Sequence, residues 1–371
     1  MSKKTRPTFW FVAAGTGGHI FPGLEIARKL QEKLNLSPED FLFFGTSTRL
    51  EAKVIPEHLH QFYPISAQAW KGKNFLSKIL IPFSILVCVF QVAKAYFTLG
   101  RPKAMLSVGG YVSFPVSIFC ILARIKIFIH EPNIKTGVAN KIISKYAKAA
   151  YSVPFSDAEK VMKCSVKDYG NPVRPQFHQA RLRGDARNIL VLGGSQGARK
   201  LCEASLELLS HLNAINNEIT LTLQSGQINL DFSLKRQAEL GIKRRSTILP
   251  FISDLMPLLE KSDLVIARAG AMTLAELSIV GIPTILIPFP YAADDHQRVN
   301  AKLLEKHHAV RVVDEKDQNF TTSLSTHVRD LMLSGDSLRK RVALSEAFLK
   351  TARPKAGDDI SNDIIQILKL H

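Results

Sequence analysis

The stretch that most constrains this chain is Phe9–Gly23, FWFVAAGTGGHIFPG. Its apolar run, Phe9 to Ala14, reads as a strand buried on both faces. It passes directly into Gly15-Thr16-Gly17-Gly18-His19, after which Leu24, Ile26, Ala27 and Leu30 supply the apolar positions of an amphipathic helix. Strand, glycine turn and helix form the βα unit that opens a doubly wound α/β sheet. Glycines in such a turn let backbone N–H groups approach a ligand, and the helix start adds partial positive charge. His19 stands at that start and is able to act as a base near neutral pH. The turn is not GxGxxG, because Ile20 occupies the sixth position, and no Gly-Lys-Ser/Thr follows to make a Walker loop. The second strand, Phe41–Phe44, ends in Gly45-Thr46 and not in the acid that a dinucleotide ribose needs, which disfavours NAD. The plain alternative is a tight turn whose glycines serve only helix–strand packing.

At 371 residues the chain has length for about two domains, each with its own core. Hydrophobic content of 46% and charged content of 22% are ordinary for a globular protein, but a net charge of +17 is not. Nucleic acid, an anionic membrane surface or phosphorylated substrates would each account for it. The basic residues form no dense run and show no RNP, KH or zinc-finger spacing, which argues against nucleic acid. Cys88, Cys120, Cys164 and Cys202 are scattered, make no CxxC pair, and read as reduced, mostly buried thiols of a cytoplasmic protein. Met1-Ser2-Lys3-Lys4 leads straight into the first strand, so no signal peptide is expected. The longest apolar run, Ile79–Phe90, is shorter than the about 20 residues of a bilayer span and is interrupted by Pro82, so no integral membrane protein is expected.

Between these landmarks, Arg49-Leu50-Glu51 begins a helix. Lysines then interleave with Trp70, Phe75 and Leu76 ahead of the Ile79–Phe90 run. By itself this reads as a loop feeding a core helix; the alternative is a surface seated on lipid, aromatics in the interface and lysines on anionic head groups. Strands at Ala104–Val108 and Lys126–Ile129 end in Gly109-Gly110-Tyr111 and His130-Glu131-Pro132-Asn133, at the edge where open α/β sheets place ligands. Gly170-Asn171-Pro172-Val173-Arg174-Pro175 reads as a domain linker. The pattern then restarts. Strand Asn188–Leu192 meets Gly193-Gly194-Ser195-Gln196-Gly197, strands follow at Ile219–Leu223 and Thr247–Leu249, and Asp263–Ala267 turns through Arg268-Ala269-Gly270 into a helix. Pro283–Pro288 is a last strand, and Ile360, Ile364, Ile367 and Leu368 mark a terminal helix. The fold expected is α/β: two Rossmann-like, doubly wound domains facing across a cleft.

Two chemistries compete for these turns. Gly193–Gly197 satisfies GxSxG between strand and helix, the setting of a hydrolase nucleophile elbow, and Asp294 or Asp295 with His296 or His307 follows in triad order. That reading gives the Gly15–His19 and Arg268–Glu276 turns no role. A sugar-nucleotide site uses all three. Ser195 and its turn and the Gly270–Thr273 helix start would bind diphosphate, the Ile252 region uracil, and Glu276 the ribose hydroxyls. With no Asp-x-Asp motif, helix dipoles and arginine, and no metal or other cofactor, would stabilise the leaving diphosphate.

GTGGHIFPG, GGY at Gly109, HEPN at His130, GNPVR at Gly170, GGSQGAR at Gly193, RAGAMTLAE at Arg268 and DHQ at Asp295 occur in the order of one family. Across essentially its whole length the chain resembles the MurG family of bacterial N-acetylglucosaminyltransferases, glycosyltransferase family 28. The resemblance implies a GT-B fold and transfer of N-acetylglucosamine from UDP-N-acetylglucosamine to lipid I, with inversion, forming lipid II for peptidoglycan synthesis. It implies a peripheral protein on the cytoplasmic face of the inner membrane. By motif, His19 would be the base; Thr16, Gly17 and Gly18 would contact the donor or acceptor phosphates. Asn133, Arg174, Ser195, Ile252, Ala271, Met272, Thr273, Leu274, Ala275, Glu276 and Gln297 would complete the donor site. It also implies an acceptor- and membrane-binding domain over residues 1–174, rejoined by a helix at 352–371, and a donor domain over 175–351. The lysine–aromatic stretch from Trp70 to Phe90 then reads as membrane contact. Two departures stand out: the first turn opens Ala13-Ala14-Gly15 where the family more often has an extra glycine, and Pro132 replaces a glutamine, which removes a side-chain hydrogen bond but leaves Asn133 in place.

Overall fold

The computed structural model describes residues 7–15, 17–58, 60–67, 81–194, 197–292 and 295–370. The chain divides into two compact units, Met1–Arg174 with Arg353–His371, and Pro175–Ala352.

Among the described residues, the first unit is built on seven strands: β1 (Phe9–Ala13), β2 (Phe41–Gly45), β3 (Gln61–Pro64), β4 (Ala104–Gly109), β5 (Lys126–His130), β6 (Ala147–Ser152) and β7 (Ser165–Asp168). Their order is β3-β2-β1-β4-β5-β6-β7, every neighbouring pair parallel. Side chains alternate across a strand, so an apolar run needs cover on both faces. In β1 and β2, Trp10, Val12, Leu42 and Phe44 enter one core cluster, while Phe9, Phe11, Ala13, Phe41 and Phe43 enter the other. Cross-strand rings hold the register: Phe11 stacks on Phe43 at 4.8 Å, and Trp10 meets Phe44 edge-on at 5.0 Å. Each such buried ring contributes roughly 1.5–3 kcal/mol. The expected strands Phe41–Phe44, Ala104–Val108 and Lys126–Ile129 each run one residue further. The short edge strands β3 and β7 and the alanine-rich β6 were not foreseen, because their sequences carry little apolar periodicity.

The first helix, Gly17–Leu34, covers one face of the sheet. The C-terminal helix, Ala356–Leu368, packs beside it and adds Ile360 and Ile364 to the same cluster. Polar contacts latch it. Lys29 and Lys33 reach the two oxygens of Asp358 at 2.9 and 3.0 Å, holding its carboxyl below the usual carboxylate range. The buried Tyr151 hydroxyl donates to Asp363 at 2.9 Å, and Lys167 pairs with the other oxygen of that carboxylate.

The other face is covered by helices Ile81–Leu99 and Ser113–Leu122. Here the structure corrects the expectation that Pro82 interrupts the apolar run. Pro82 lies in the helix's first turn, where its missing N–H has no intrahelical bond to break. The helix continues to Leu99, and by length and composition alone Pro82–Leu99 could cross a membrane. Cys88, Val92, Ala95 and Leu99 pack on the sheet, whereas Phe83, Leu86, Phe90 and Phe97 are exposed.

The second unit repeats the plan with β8 (Asn188–Leu192), β9 (Thr220–Gln224), β10 (Ser246–Leu249), β11 (Leu264–Ala267), β12 (Thr284–Leu286) and β13 (Arg311–Val312), in the order β10-β9-β8-β11-β12-β13. All its neighbouring pairs are parallel. Ile189, Val191, Leu221, Leu223, Leu264 and Ile266 form its inner core with the helix residues Leu201, Leu208 and Phe320. Each sheet thus reverses its winding once, between β1 and β4 in the first unit and between β8 and β11 in the second.

The latch at Asp363 predicts that Asp363→Ala, which leaves the buried Tyr151 hydroxyl without its acceptor, destabilises the first unit by about 1–3 kcal/mol. Urea unfolding checks this, and an unchanged midpoint would show the contact to be dispensable. Tyr151→Phe should couple non-additively with it.

Candidate active site

Ligands of open α/β sheets bind at the C-terminal strand ends where the winding reverses. In the first unit that point lies between β1 and β4, and the turns after both strands meet there. The first helix begins at Gly17, which puts Gly17, Gly18 and His19 in its first turn with N–H groups that have no helical acceptor. Gly109, the last residue of β4, and Gly110 have φ of +107° and +87°, conformations that favour glycine. A side chain at Gly109 would stand 2.9 Å from the His19 ring, and one at Gly110 only 2.6 Å from the Ala14 carbonyl oxygen. The two turns therefore interlock, and the missing side chain of Gly109 is what makes room for the imidazole. Thr16 lies outside the described residues.

The next strand end, β5, carries His130-Glu131-Pro132-Asn133. His130 is fully buried; its Nε2 donates to the Asn171 side-chain oxygen at 3.0 Å, while Asn171 donates to the Pro132 carbonyl at 3.0 Å. Burial drives its pKa down to about 4. Glu131, also buried, accepts from Gly137 N–H (2.9 Å), the Asn140 amide (3.0 Å), and both the backbone and side chain of Asn133 (3.2 and 3.3 Å). Burial raises its pKa and these donors oppose the rise. Glu131 is thus the residue that orients Asn133; its neighbours in sequence gave no sign of this. Arg174 brings its guanidinium over the Phe21 ring at 5.8 Å, and the same ring packs on Gly17.

In the second unit the reversal lies between β8 and β11. Ser195, after β8, lies outside the described residues, as does Asp294. After β11, extended Gly270 caps helix Ala271–Val280 and accepts from Leu274 N–H at 2.9 Å. Met272 and Leu274 turn their side chains into the fold and present only backbone; Ala271, Thr273, Ala275 and Glu276 are half-buried. Ile252, just beyond β10, is likewise buried. Gln297 accepts from Phe289 N–H at 3.0 Å and so braces the turn after β12. Arg268, which leads the RAGAMTLAE motif, is buried: it donates to the Ile287 and Pro288 carbonyls (3.1 and 3.3 Å) and pairs with Glu315. It ties β11 to β12. His296 and His307 stand at opposite ends of helix His296–Lys306, roughly 15 Å apart, so a triad could use only one of them.

Two parallel doubly wound sheets, each with a glycine turn opening a helix at its reversal point, are the layout of the GT-B fold. The sequence matches the glycosyltransferase family 28 N-terminal domain over residues 9–152 and the family 28 C-terminal domain over residues 188–354, and the chain belongs to glycosyltransferase family 28. It is 35% identical over 356 residues to the UDP-N-acetylglucosamine–N-acetylmuramyl-(pentapeptide) pyrophosphoryl-undecaprenol N-acetylglucosamine transferase of Thermodesulfovibrio yellowstonii, covering 93% of this chain and 94% of that protein. The Coxiella burnetii protein of the same name is 34% identical over the same shares. The crystal structure of Acinetobacter baumannii MurG superposes with a TM-score of 0.75 at 27% identity, covering 97% of this chain and all (100%) of that one. The hydrolase alternative at Ser195 gives way to this membership.

The buried His130 makes a pH prediction. An unfolded chain protonates it near 6.5, whereas the folded protein holds it down to about 4. Below pH 6.5 the unfolded state therefore binds a proton that the folded state refuses, and stability falls as the pH drops towards 4. The effect is on the order of 3 kcal/mol. Relative to wild type, His130→Gln should flatten the pH dependence of the urea midpoint in that window; an identical slope would refute the assignment.

Proposed function

We propose that this chain transfers N-acetylglucosamine from UDP-N-acetylglucosamine to the muramyl 4-hydroxyl of lipid I, with inversion, giving lipid II at the cytoplasmic face of the bacterial inner membrane. The observation that carries this reading is the match to the named transferases over 93% of the chain, with the matched motifs at both reversal points. The second unit takes the donor. N–H groups at the Ala271 helix start and around Ser195 receive the diphosphate, backbone near Ile252 the uracil, and Glu276 the ribose hydroxyls, with Gln297 completing the site in this unit. The first unit takes the acceptor, with Thr16, Gly17 and Gly18 on phosphate.

Inverting transfer is one displacement. The acceptor hydroxyl attacks the anomeric carbon, the bond to UDP breaks, and the hydroxyl proton passes to His19. Charge developing on the leaving diphosphate is met by the positive ends of helices, which are already oriented when reaction begins. The Gly109 contact supports His19 as the base, because it restricts where the imidazole can go.

Incubating the protein with radiolabelled UDP-N-acetylglucosamine and a lipid I analogue should yield a labelled disaccharide product. His19→Ala should lower kcat by about 10²–10⁴ with donor binding near normal. No product from wild type would reject the activity; a variant changed only in acceptor KM would make His19 a phosphate ligand instead of the base.

The membrane reading rests on the exposed Phe83, Leu86, Phe90 and Phe97 and on the +17 charge. Lys71, Lys73 and Lys78, with Trp70 and Phe75, lie outside the described residues. Aromatics that insert at the head-group level and basic residues on anionic lipid act together. Binding to vesicles should rise with anionic lipid and fall with salt. Phe83→Glu with Phe90→Glu should abolish most of it while transfer to a water-soluble acceptor persists. Equal partitioning of both proteins would reject this surface.

A further inference from the structure

Glu51 opens helix Leu50–Glu57 after β2 and is completely buried. Its Oε1 accepts from the Thr46 N–H at 3.0 Å and the Thr46 hydroxyl at 2.8 Å. Its Oε2 accepts from Gly15 N–H at 3.2 Å, across to the end of the neighbouring strand β1. The passage exists because residue 45 is glycine: a side chain there would lie 2.6 Å from Glu51 Cγ and 2.9 Å from the Phe62 ring. An acid does arrive at the end of β2, but from the following helix, and it faces backbone.

We propose that Glu51 is a positioning residue that clamps the Ala14–Gly15 peptide and through it sets the Gly17–His19 helix start. The peptide's N–H is held by Glu51, and its carbonyl oxygen lies close to Gly110, where a side chain would stand only 2.6 Å away. Turning this planar peptide would break the Glu51 bond and move the carbonyl oxygen against the β4 turn. The helix begins two residues on, with His19 in its first turn against Gly109. The β2 turn reaches the β4 turn as well, through Arg49 over the Tyr111 ring at 5.6 Å. Three donors converge on two oxygens, which a carboxylate satisfies. An isosteric amide has one acceptor oxygen; bonded to Thr46, it would turn N–H groups towards Gly15 N–H.

This inference rests on the reading that the Gly15–His19 turn takes part in transfer, and its test has a readout independent of that reading. In full-length Glu51→Gln, hydrogen exchange at the Gly15 amide should speed up at least about tenfold while the β1 amides of Trp10 to Val12 keep their protection. The kcat for disaccharide formation should fall by about 10–100-fold, as expected for a misplaced reacting group, with donor KM nearly unchanged. Unchanged exchange at Gly15 overturns the clamp. Faster exchange with normal kcat overturns its role in catalysis, and loss of protection throughout β1 shows general destabilisation in its place. If wild type makes no disaccharide, the transferase reading fails and the exchange comparison alone decides the clamp. Thr46→Val removes one anchor and keeps the carboxylate. It should shift Gly15 exchange in the same direction by less, and no shift counts against the proposal even if Glu51→Gln does not fold.

Discussion

Everything in the first unit depends on burying β1 on both faces. A parallel sheet covered by helices on each side leaves only its strand ends for polar chemistry. Phe9 and Phe11 on one side, Trp10 and Val12 on the other, close both faces of the sheet centre. The candidate groups therefore gather at the C-terminal ends of β1, β4 and β5, which are adjacent in the sheet. The same constraint in the second unit brings together the turns after β8 and β11.

At those ends, precision comes from close approach and buried polar bonds. Gly109 and Gly110 let the β4 turn press on His19 and Ala14, and Gly45 admits Glu51 beneath the β2 end. Two buried carboxylates, Glu51 and Glu131, are spent on backbone and side-chain donors. Each satisfies N–H groups that would otherwise be costly to bury. Arg268 does the corresponding work between β11 and β12 with its guanidinium on carbonyls. Glu131 and Arg268, charged residues within the motifs, thus shape the turns themselves.

The helix Ile81–Leu99 is apolar on two sides. One side completes the sheet core through Cys88, Val92 and Ala95, and the other presents Phe83, Phe90 and Phe97 to the surroundings. A helix that only completed a core would carry polar residues outward. Only 22% of its most apolar stretch is buried.

The sequence by itself determined the α/β class, the two opening βα units, most central strands to within a residue, and the turns that carry the family motifs. Those features are written in short windows, as continuous apolar runs and glycines at strand ends. The tertiary structure alone decided which partners those turns acquire. Glu51 meets Gly15 across 36 positions, and Tyr151 meets Asp363 across 212. It decided that Pro82 starts a helix instead of breaking one, and that Met272 and Leu274 face inward while Thr273 and Glu276 do not. Local periodicity records how each segment buries its own apolar side. The pairing of one buried polar group with another depends on how segments far apart in the chain are stacked, and no short window contains that.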